Sequence, residues 1–127
     1  MSVFVYTGPG TSQFCVTEIK NSLKTLVPEL KIISIENAKI LVDVLQEVCK
    51  GVLVMPGGRD KPYQEDLSGK GIEIIKNFVK RGGSYLGICA GAYFASDRVE
   101  FEIGSDIEVN EERDLKFFPL CCLRNTF

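Results

Sequence analysis

The 127-residue sequence contains no histidine. A Ser-His-Asp or Cys-His triad therefore cannot be assembled from this chain alone, and neither can a zinc site that uses imidazole ligands. Any function must use other groups, be completed by residues that are not among these 127, or consist of binding.

A positive charge excess and long apolar runs are also lacking. Lys and Arg number 15 against 17 Asp and Glu, a formal net charge of −2 that argues against nucleic-acid binding. No stretch approaches the roughly 18 apolar residues that span a bilayer. The N-terminus has neither the basic region nor the apolar core of a signal peptide. We therefore expect a cytoplasmic protein that binds neither nucleic acid nor membranes.

The cysteines do not form the pattern of a disulfide framework or of a zinc site. Their number is odd and no C-x-x-C spacing occurs among Cys15, Cys49, Cys89, Cys121 and Cys122. We expect no metal and no cofactor. Cys15 and Cys49 are interpreted as small buried hydrophobes, a common role of free cysteine.

Hydrophobic residues make up 45% of the chain, enough for a core, and their spacing alternates between strand and helix patterns. Strands are predicted at 3–6, 31–35, 51–55 and 84–88, and helices over 15–26, 37–49 and 72–79. A polar loop is expected from 56 to 71. After residue 96 the pattern changes to short β-like pieces at 99–103, 107–109 and 115–118, and residues 120–127 show no period. This alternation predicts a doubly wound α/β sheet.

One short motif follows a predicted strand and precedes a predicted helix. Residues 87–91 read Gly-Ile-Cys-Ala-Gly, the form of a nucleophile elbow with Cys89 at its tip. The flanking glycines would let strand and helix approach closely, and the amide of Ala90 could donate to an oxyanion. The alternative is a tight turn that carries an inert cysteine.

A second turn, Pro56-Gly57-Gly58, follows the most apolar predicted strand and could direct amides into the same crevice as half of an oxyanion hole. The alternative is a plain turn. Asp60 and Tyr63 are expected on a loop that overhangs the crevice, and Glu100 and Glu102 on one face of a short strand. Residues 111–114 are interpreted as a solvated turn. The candidates for the crevice are Asp60, Tyr63, Tyr93, Arg98 and Glu100.

Six ordered segments resemble the N-terminal domain of eukaryotic-type biotin–protein ligases, which is similar to class I glutamine amidotransferases. They are Tyr-x-Gly-Pro-Gly at 6–10, Pro-Gly-Gly-x-Asp-x-Pro-Tyr at 56–63, Phe-Val-x-Arg-Gly-Gly at 78–83, Gly-x-Cys-Ala-Gly at 87–91, Arg-Val-Glu-Phe at 98–101 and Arg-Asp-Leu-x-Phe-Phe-Pro at 113–119. The resemblance implies an α/β fold, a flavodoxin-like three-layer sandwich with a mainly parallel central sheet. It places Cys89 at the nucleophile position and Gly57, Gly58 and Ala90 at the oxyanion-hole positions.

The sequence departs from this pattern in several places. Arg59 stands where such ligases often have Ala, Ala92 where a second Gly is usual, and Leu120 where Gly tends to follow Phe-Phe-Pro. The histidine and glutamate partners of active amidotransferases do not follow Cys89. The biotin-transfer domain with its Gly-Arg-Gly loop is absent, so ligase activity cannot reside in this chain. We expect one amidotransferase-like domain over 1–127, with a C-terminal end that is either divergent or incomplete.

Three hypotheses follow. The leading one is a non-catalytic binding or regulatory domain that keeps the elbow and binds a small carboxylate or amide. The second is a cysteine-dependent amidotransferase or hydrolase whose histidine base comes from another chain or a missing segment. The third is an interaction domain, with a homo-oligomer or a ligase domain as partner, whose apolar surface comes from the tail. The tail residues concerned are Phe117, Phe118, Cys121, Cys122, Leu123 and Phe127.

Overall fold

A computed structural model describes residues 1–124, which form two sheets and five helices. The first part of the chain alternates between strands and helices, with two helices after β3: β1 Ser2–Tyr6, α1 Gln13–Leu26, β2 Lys31–Ile35, α2 Ala38–Leu45, β3 Val52–Met55, α3 Asp60–Leu67, α4 Lys70–Lys80, β4 Ser84–Gly87 and α5 Ala90–Phe94. A second group of strands follows: β5 Ser96–Phe101, β6 Val109–Glu112 and β7 Phe118–Arg124.

The central sheet has the order β2-β1-β3-β4, and its strands are all parallel. Parallel strands need crossover connections, and here helices supply them on both faces. Val3 and Val5 of β1 face one side and pack near Ile19 and Leu23 of α1. Phe4 belongs to the larger core on the other side, together with residues of α2, α3, α4 and α5. The predicted three-layer α/β sandwich with a parallel central sheet is confirmed.

Helix α3 was not predicted, because residues 60–67 read as part of a polar loop. Only Tyr63 and Leu67, four residues apart, supply large apolar side chains to the core. Pro62 is the third residue of the helix, where its missing N–H costs no intrahelical hydrogen bond. The helix is therefore compatible with a proline and with a mostly polar surface, and the prediction of a loop was wrong.

The second sheet has the order β6-β5-β7, with β6 antiparallel and β7 parallel to β5. Strand β7 occupies most of the tail in which no period could be read. Four of the tail residues considered as an interaction surface, Phe118, Cys121, Cys122 and Leu123, lie in a strand paired with β5, and Phe127 lies outside the described residues. Among residues 1–124, no helix combines the length and the apolar character needed to cross a membrane.

Candidate functional site

Three turns meet at the carboxyl edge of the central sheet, after β1, β3 and β4. The first two are held together by backbone hydrogen bonds: Ser12 donates to the carbonyl of Gly57 over 3.0 Å, and Arg59 donates to the carbonyl of Gly10 over 2.8 Å. In open parallel sheets ligand crevices form at this edge. The site is therefore described from these three turns.

The turn after β4 holds Cys89 in an uncommon backbone conformation, with φ 53° and ψ −106°. The amide of Ile88 donates to the carbonyl of Met55 over 3.0 Å, and the amide of Ala92 donates to the carbonyl of Cys89 over 2.9 Å. A positive φ is strained for a residue with a Cβ, and such strain is concentrated at functional positions. The Cys89 residue is exposed at the start of α5.

Gly87 and Gly91 flank this turn and leave no space for a side chain. A Cβ on Gly91 would overlap the carbonyl oxygen of Met55 and lie 2.7 Å from its carbonyl carbon. A Cβ on Gly87 would lie 2.6 Å from the carbonyl oxygen of Gly91. Because these neighbours are backbone atoms, they cannot rotate away. The two glycines thus allow β3, β4 and α5 to pack at this distance.

Cys15 also lies at this edge, which corrects its interpretation as a core hydrophobe. It is only half-buried, in the first turn of α1, where its amide donates to the Oγ of the capping residue Ser12 over 3.4 Å. A Cβ built on Gly57 would lie 2.8 Å from Sγ of Cys15 and 3.9 Å from Cβ of Cys89. Cys49, interpreted in the same way, is exposed before β3.

A cavity of about 620 Å³ opens beside the Cys89 turn. Its wall combines two of the three expected oxyanion positions, Gly58 and Ala90, with Tyr93 from α5, whereas Gly57 is not part of the lining. Cys89 itself is not part of this lining. The remaining lining residues come from the start of α3, from the second sheet and from the connection between β5 and β6. They are Arg59, Asp60, Lys61, Phe101, Asp106, Ile107, Glu108 and Val109.

Of the charged residues that line this cavity, Asp60 and Lys61 form ion pairs, whereas Asp106 and Glu108 form none among residues 1–124. Lys61 forms a 3.0 Å ion pair with Glu111, and Glu108 accepts a 2.7 Å hydrogen bond from the amide of Gly104. Arg59, which is exposed, takes part in none of the ion pairs formed among residues 1–124. The cavity therefore offers one free guanidinium group to an anionic ligand.

Asp60 and Tyr63 do not overhang a crevice from a loop, as the sequence suggested. Both lie in α3, and the side chain of Tyr63 is fully buried, with its hydroxyl donating to the carbonyl of Pro56 over 2.8 Å. Burial, followed by the nearby Cys15, Asp60 and Cys89, raises the pKa of the Tyr63 hydroxyl well above its ordinary value. Asp60 is buried and accepts from Nε of Arg113 over 2.7 Å.

Arg98 and Glu100 lie on β5 outside the cavity lining, where they pair with each other over 3.6 Å. Glu102 lies beyond the end of β5 with φ 48°, so the expectation that it shares a strand face with Glu100 was wrong. Residues 111–114 are not a solvated turn, since Glu111 and Glu112 end β6 and Arg113 is fully buried. Among residues 1–124, no group of three or more metal-ligating side chains occurs.

Sequence reasoning missed Cys15 and Arg113 as parts of this region. A signal for Cys15 was available, because it follows β1 by one capped helical turn and β1 ends at the same sheet edge as β4. Arg113 pairs with a carboxylate 53 residues earlier. No local pattern indicates such a partner.

The family model and a curated relative indicate the same family. The family described as biotin-protein ligase, N terminal, matches residues 1–127. The biotin–protein ligase of Schizosaccharomyces pombe is 40% identical over 128 residues, covering all of this chain and 20% of that protein. An uncharacterized protein of Chlamydia muridarum is 35% identical over 119 residues, covering 92% of this chain and 46% of that protein. The chain thus spans less than half the length of either relative.

Solved structures of similar shape support the fold alone. A peptidase E-like protein from Listeria monocytogenes EGD-e superposes with a TM-score of 0.60 at 20% identity, over 76% of this chain and 50% of the other. A peptidase from an acI-B1 Actinobacterium gives a TM-score of 0.61 at 16% identity, over 90% of this chain and 50% of the other. Both have the flavodoxin-like fold of class I glutamine amidotransferases.

Proposed function

Because this chain belongs to the biotin–protein ligase N-terminal domain family, we propose that it is a non-catalytic binding domain that retains a nucleophile elbow at Cys89. Its ligand is a small molecule that carries a carboxylate or an amide. The observation that carries this proposal is the positive φ of Cys89 directly beside a cavity lined by Gly58 and Ala90.

The elbow is supported by the conformation of the turn. A nucleophile elbow joins a strand to a helix through a strained residue whose side chain is exposed at the sheet edge. Cys89 has φ 53°, is exposed, and lies between β4 and α5. Gly87 and Gly91 leave no space for side chains on either side. An ordinary tight turn would not require both glycines and a strained cysteine between them.

Two amides are available for a ligand oxygen. The backbone amides of Gly58 and Ala90 donate none of the backbone hydrogen bonds that connect the described turns. Both residues line the cavity. Free amides that converge on a cavity stabilise negative charge on a carboxylate or on a carbonyl oxygen. Arg59 supplies a cation at the same wall, which favours a ligand with an acidic group.

The non-catalytic assignment depends on the groups near Cys89. No histidine is present in the chain to accept the thiol proton. The Tyr63 hydroxyl is held protonated by a pKa raised through burial, and it already donates to the carbonyl of Pro56. The Asp60 carboxylate pairs with Arg113. Without a histidine, and with Tyr63 and Asp60 engaged in this way, none of these three groups can assist the attack of Cys89 on an amide carbonyl or protonate the leaving amine.

Two measurements on the 127-residue chain test this proposal. Glutamine is first supplied as substrate, and no ammonia above the level of the Cys89→Ser variant is expected. Alkylation of Cys89 by iodoacetamide is then followed by peptide mass in the presence of glutarate or glutaramide, and protection is expected at millimolar ligand. Arg59→Met should weaken protection by glutarate more than protection by glutaramide.

Arg98→Met is the matched control, because Arg98 lies outside the cavity and pairs with Glu100. Its effect on protection should be negligible. Equal loss of protection in both arginine variants, or no protection by either compound, would refute the proposed site.

The second candidate is a cysteine-dependent amidotransferase or hydrolase that obtains its base elsewhere. The small share of each relative that the chain covers favours it, since a base could lie in a segment of such a longer protein or in a partner. Ammonia release from glutamine that disappears in Cys89→Ser would establish this enzyme and overturn the non-catalytic proposal.

A further inference from the structure

Cys15 and Cys89 lie near the same glycine, although they are 74 residues apart in the sequence. The position that a methyl group on Gly57 would occupy is 2.8 Å from Sγ of Cys15, 3.5 Å from its Cβ and 3.9 Å from Cβ of Cys89. Sγ of Cys15 is thus too close for a side chain on Gly57, and the glycine allows both cysteines to lie beside this turn.

Tyr63 lies close to both cysteines. Its hydroxyl has a pKa raised first by burial and then by the charges of Cys15, Asp60 and Cys89. One phenol therefore lies within electrostatic range of both thiols. It is held in place by its hydrogen bond to the carbonyl of Pro56, the residue before Gly57.

The two cysteines differ in a way that suits successive roles. Cys89 is exposed and open to a solute, whereas Cys15 is half-buried beneath the turn. Cys15 lies in the first turn of the 14-residue helix α1, with Ser12 as the cap.

We propose that Cys15 and Cys89 form a reversible oxidation site, in which a hydroperoxide oxidises Cys89 and Cys15 closes an intramolecular disulfide. In the first step the Cys89 sulfur bonds to one peroxide oxygen, the O–O bond breaks, and the other oxygen leaves with the thiol proton as water or an alcohol. Sulfur is oxidised to the sulfenic acid and the peroxide is reduced.

In the second step the sulfur of Cys15 attacks the Cys89 sulfur. The S–S bond forms, the S–O bond breaks, and the hydroxyl group leaves as water with the proton of the second thiol. Two thiols and one hydrogen peroxide molecule thus give one disulfide and two water molecules. A disulfide requires the two Cβ atoms to approach to about 3.5–4.5 Å, and both already lie within 4 Å of the position that a Cβ on Gly57 would occupy.

The remaining cysteines do not offer the same arrangement. Cys49 is exposed before β3, at the opposite edge of the sheet from Cys89. Cys121 and Cys122 are consecutive residues of β7, so their side chains point to opposite faces of the strand. We therefore expect oxidation to link one pair selectively.

This inference does not depend on ligand binding at the cavity, because it is tested without any ligand. The reduced 127-residue chain is treated with one molar equivalent of hydrogen peroxide near pH 7, free thiols are blocked with N-ethylmaleimide, and the protein is digested with trypsin without reduction. Cleavage after Lys20, Arg81 and Arg98 leaves Cys15 and Cys89 in separate peptides, 1–20 and 82–98, each with a single cysteine. A cross-linked pair of these two peptides is expected, and dithiothreitol should release it.

Two variants assign the roles. In Cys15→Ser the cross-link should be lost and the sulfenic acid on Cys89 should become trappable by dimedone. Cys49→Ser, the matched control, should leave the cross-link unchanged. The wild-type chain oxidised in 8 M urea provides a measurement that does not depend on a variant folding, and there the linkages should scatter among the five cysteines.

Three results would overturn the proposal. One is oxidation of Cys89 to the sulfinic acid in the folded wild type without any cross-link. Another is a cross-link between copies of the chain in place of the intramolecular one. The third is the same distribution of linkages in the folded and the urea-unfolded protein.

Discussion

Arg113 donates from Nε to Oδ2 of Asp60 over 2.7 Å, and this ion pair joins the second sheet to the first residue of α3. Arg113 is fully buried and Asp60 nearly so. Nη1 of Arg113 also donates to Glu111 and to the carbonyl of Glu112, while Nη2 has no hydrogen-bond partner among the described residues. Because Asp60 lines the cavity, this pair positions one of its walls.

Removal of either partner should strongly destabilise the protein, because Arg113→Met leaves the buried Asp60 carboxylate without a cation, and Asp60→Ala leaves the buried Arg113 with only the partly exposed Glu111. We expect Asp60→Ala and Arg113→Met each to lower the free energy of unfolding by about 3–5 kcal/mol, measured by urea denaturation. The double variant should cost clearly less than the sum of the single changes, since it leaves no unpaired charge. Additive costs would show that the two side chains act independently.

Lys61→Met is the matched control for these variants of Asp60 and Arg113. Lys61 also pairs with a carboxylate of β6, but its side chain is 43% exposed. Exposed ion pairs contribute about 0–1 kcal/mol. A cost as large as that of Arg113→Met would show that burial does not distinguish the two pairs.

The central sheet could be predicted because the apolar pattern of each strand reflects how much of the strand is covered. Residues 52–55 are apolar without alternation, as expected for a strand covered on both faces, and the helices beside it have regular stripes such as Ile72, Ile75 and Val79. Helix α3 could not be predicted in the same way. Its only buried apolar side chains are Tyr63 and Leu67, so no apolar stripe extends over more than one turn.

The site could be predicted where residues close together in the sequence form it, and not where distant segments meet. The turn of Cys89 is specified within five residues, because Gly87 and Gly91 supply the space that it needs. The neighbourhood of Cys15 and Cys89 arises only when β1, β3 and β4 align. The burial of Arg113 likewise depends on Asp60, and a run of charged residues by itself indicates a solvated turn.

The packing at Gly91 gives a prediction that separates steric overlap from backbone strain. Gly91→Ala should lower the free energy of unfolding by about 3 kcal/mol or prevent folding, because the new Cβ would overlap the backbone of Met55. Gly69→Ala is the control, since nothing lies within 4 Å of its Cβ position and only its φ of 79° is unfavourable. It should cost about 1 kcal/mol, as measured by the same urea titration.

The strain at Cys89 predicts that a glycine there stabilises the fold. Cys89→Gly should be about 1 kcal/mol more stable to urea than Cys89→Ser, because glycine adopts φ 53° without the penalty of a Cβ. Serine keeps the Cβ and the strain, so it controls for loss of the thiol. Equal stability of the two variants would show that the turn stores no strain, and would weaken the proposal of an elbow.

The ion pairs of Glu111 predict a specific dependence on pH. A hydrogen bond from Lys61, and a second from Arg113, lower the pKa of Glu111 below its ordinary value of 4.5. A carboxyl group whose pKa is lowered by folding stabilises the folded state above the ordinary pKa, and this contribution is lost as pH falls through the lowered value. Since Glu111 is partly exposed, its contribution should not exceed about 1 kcal/mol. The difference in unfolding free energy between wild type and Glu111→Gln should therefore be constant from pH 7 to about pH 5 and shrink below pH 4.5, as followed by urea denaturation at each pH. A difference that grows on acidification would contradict the proposed role of these ion pairs.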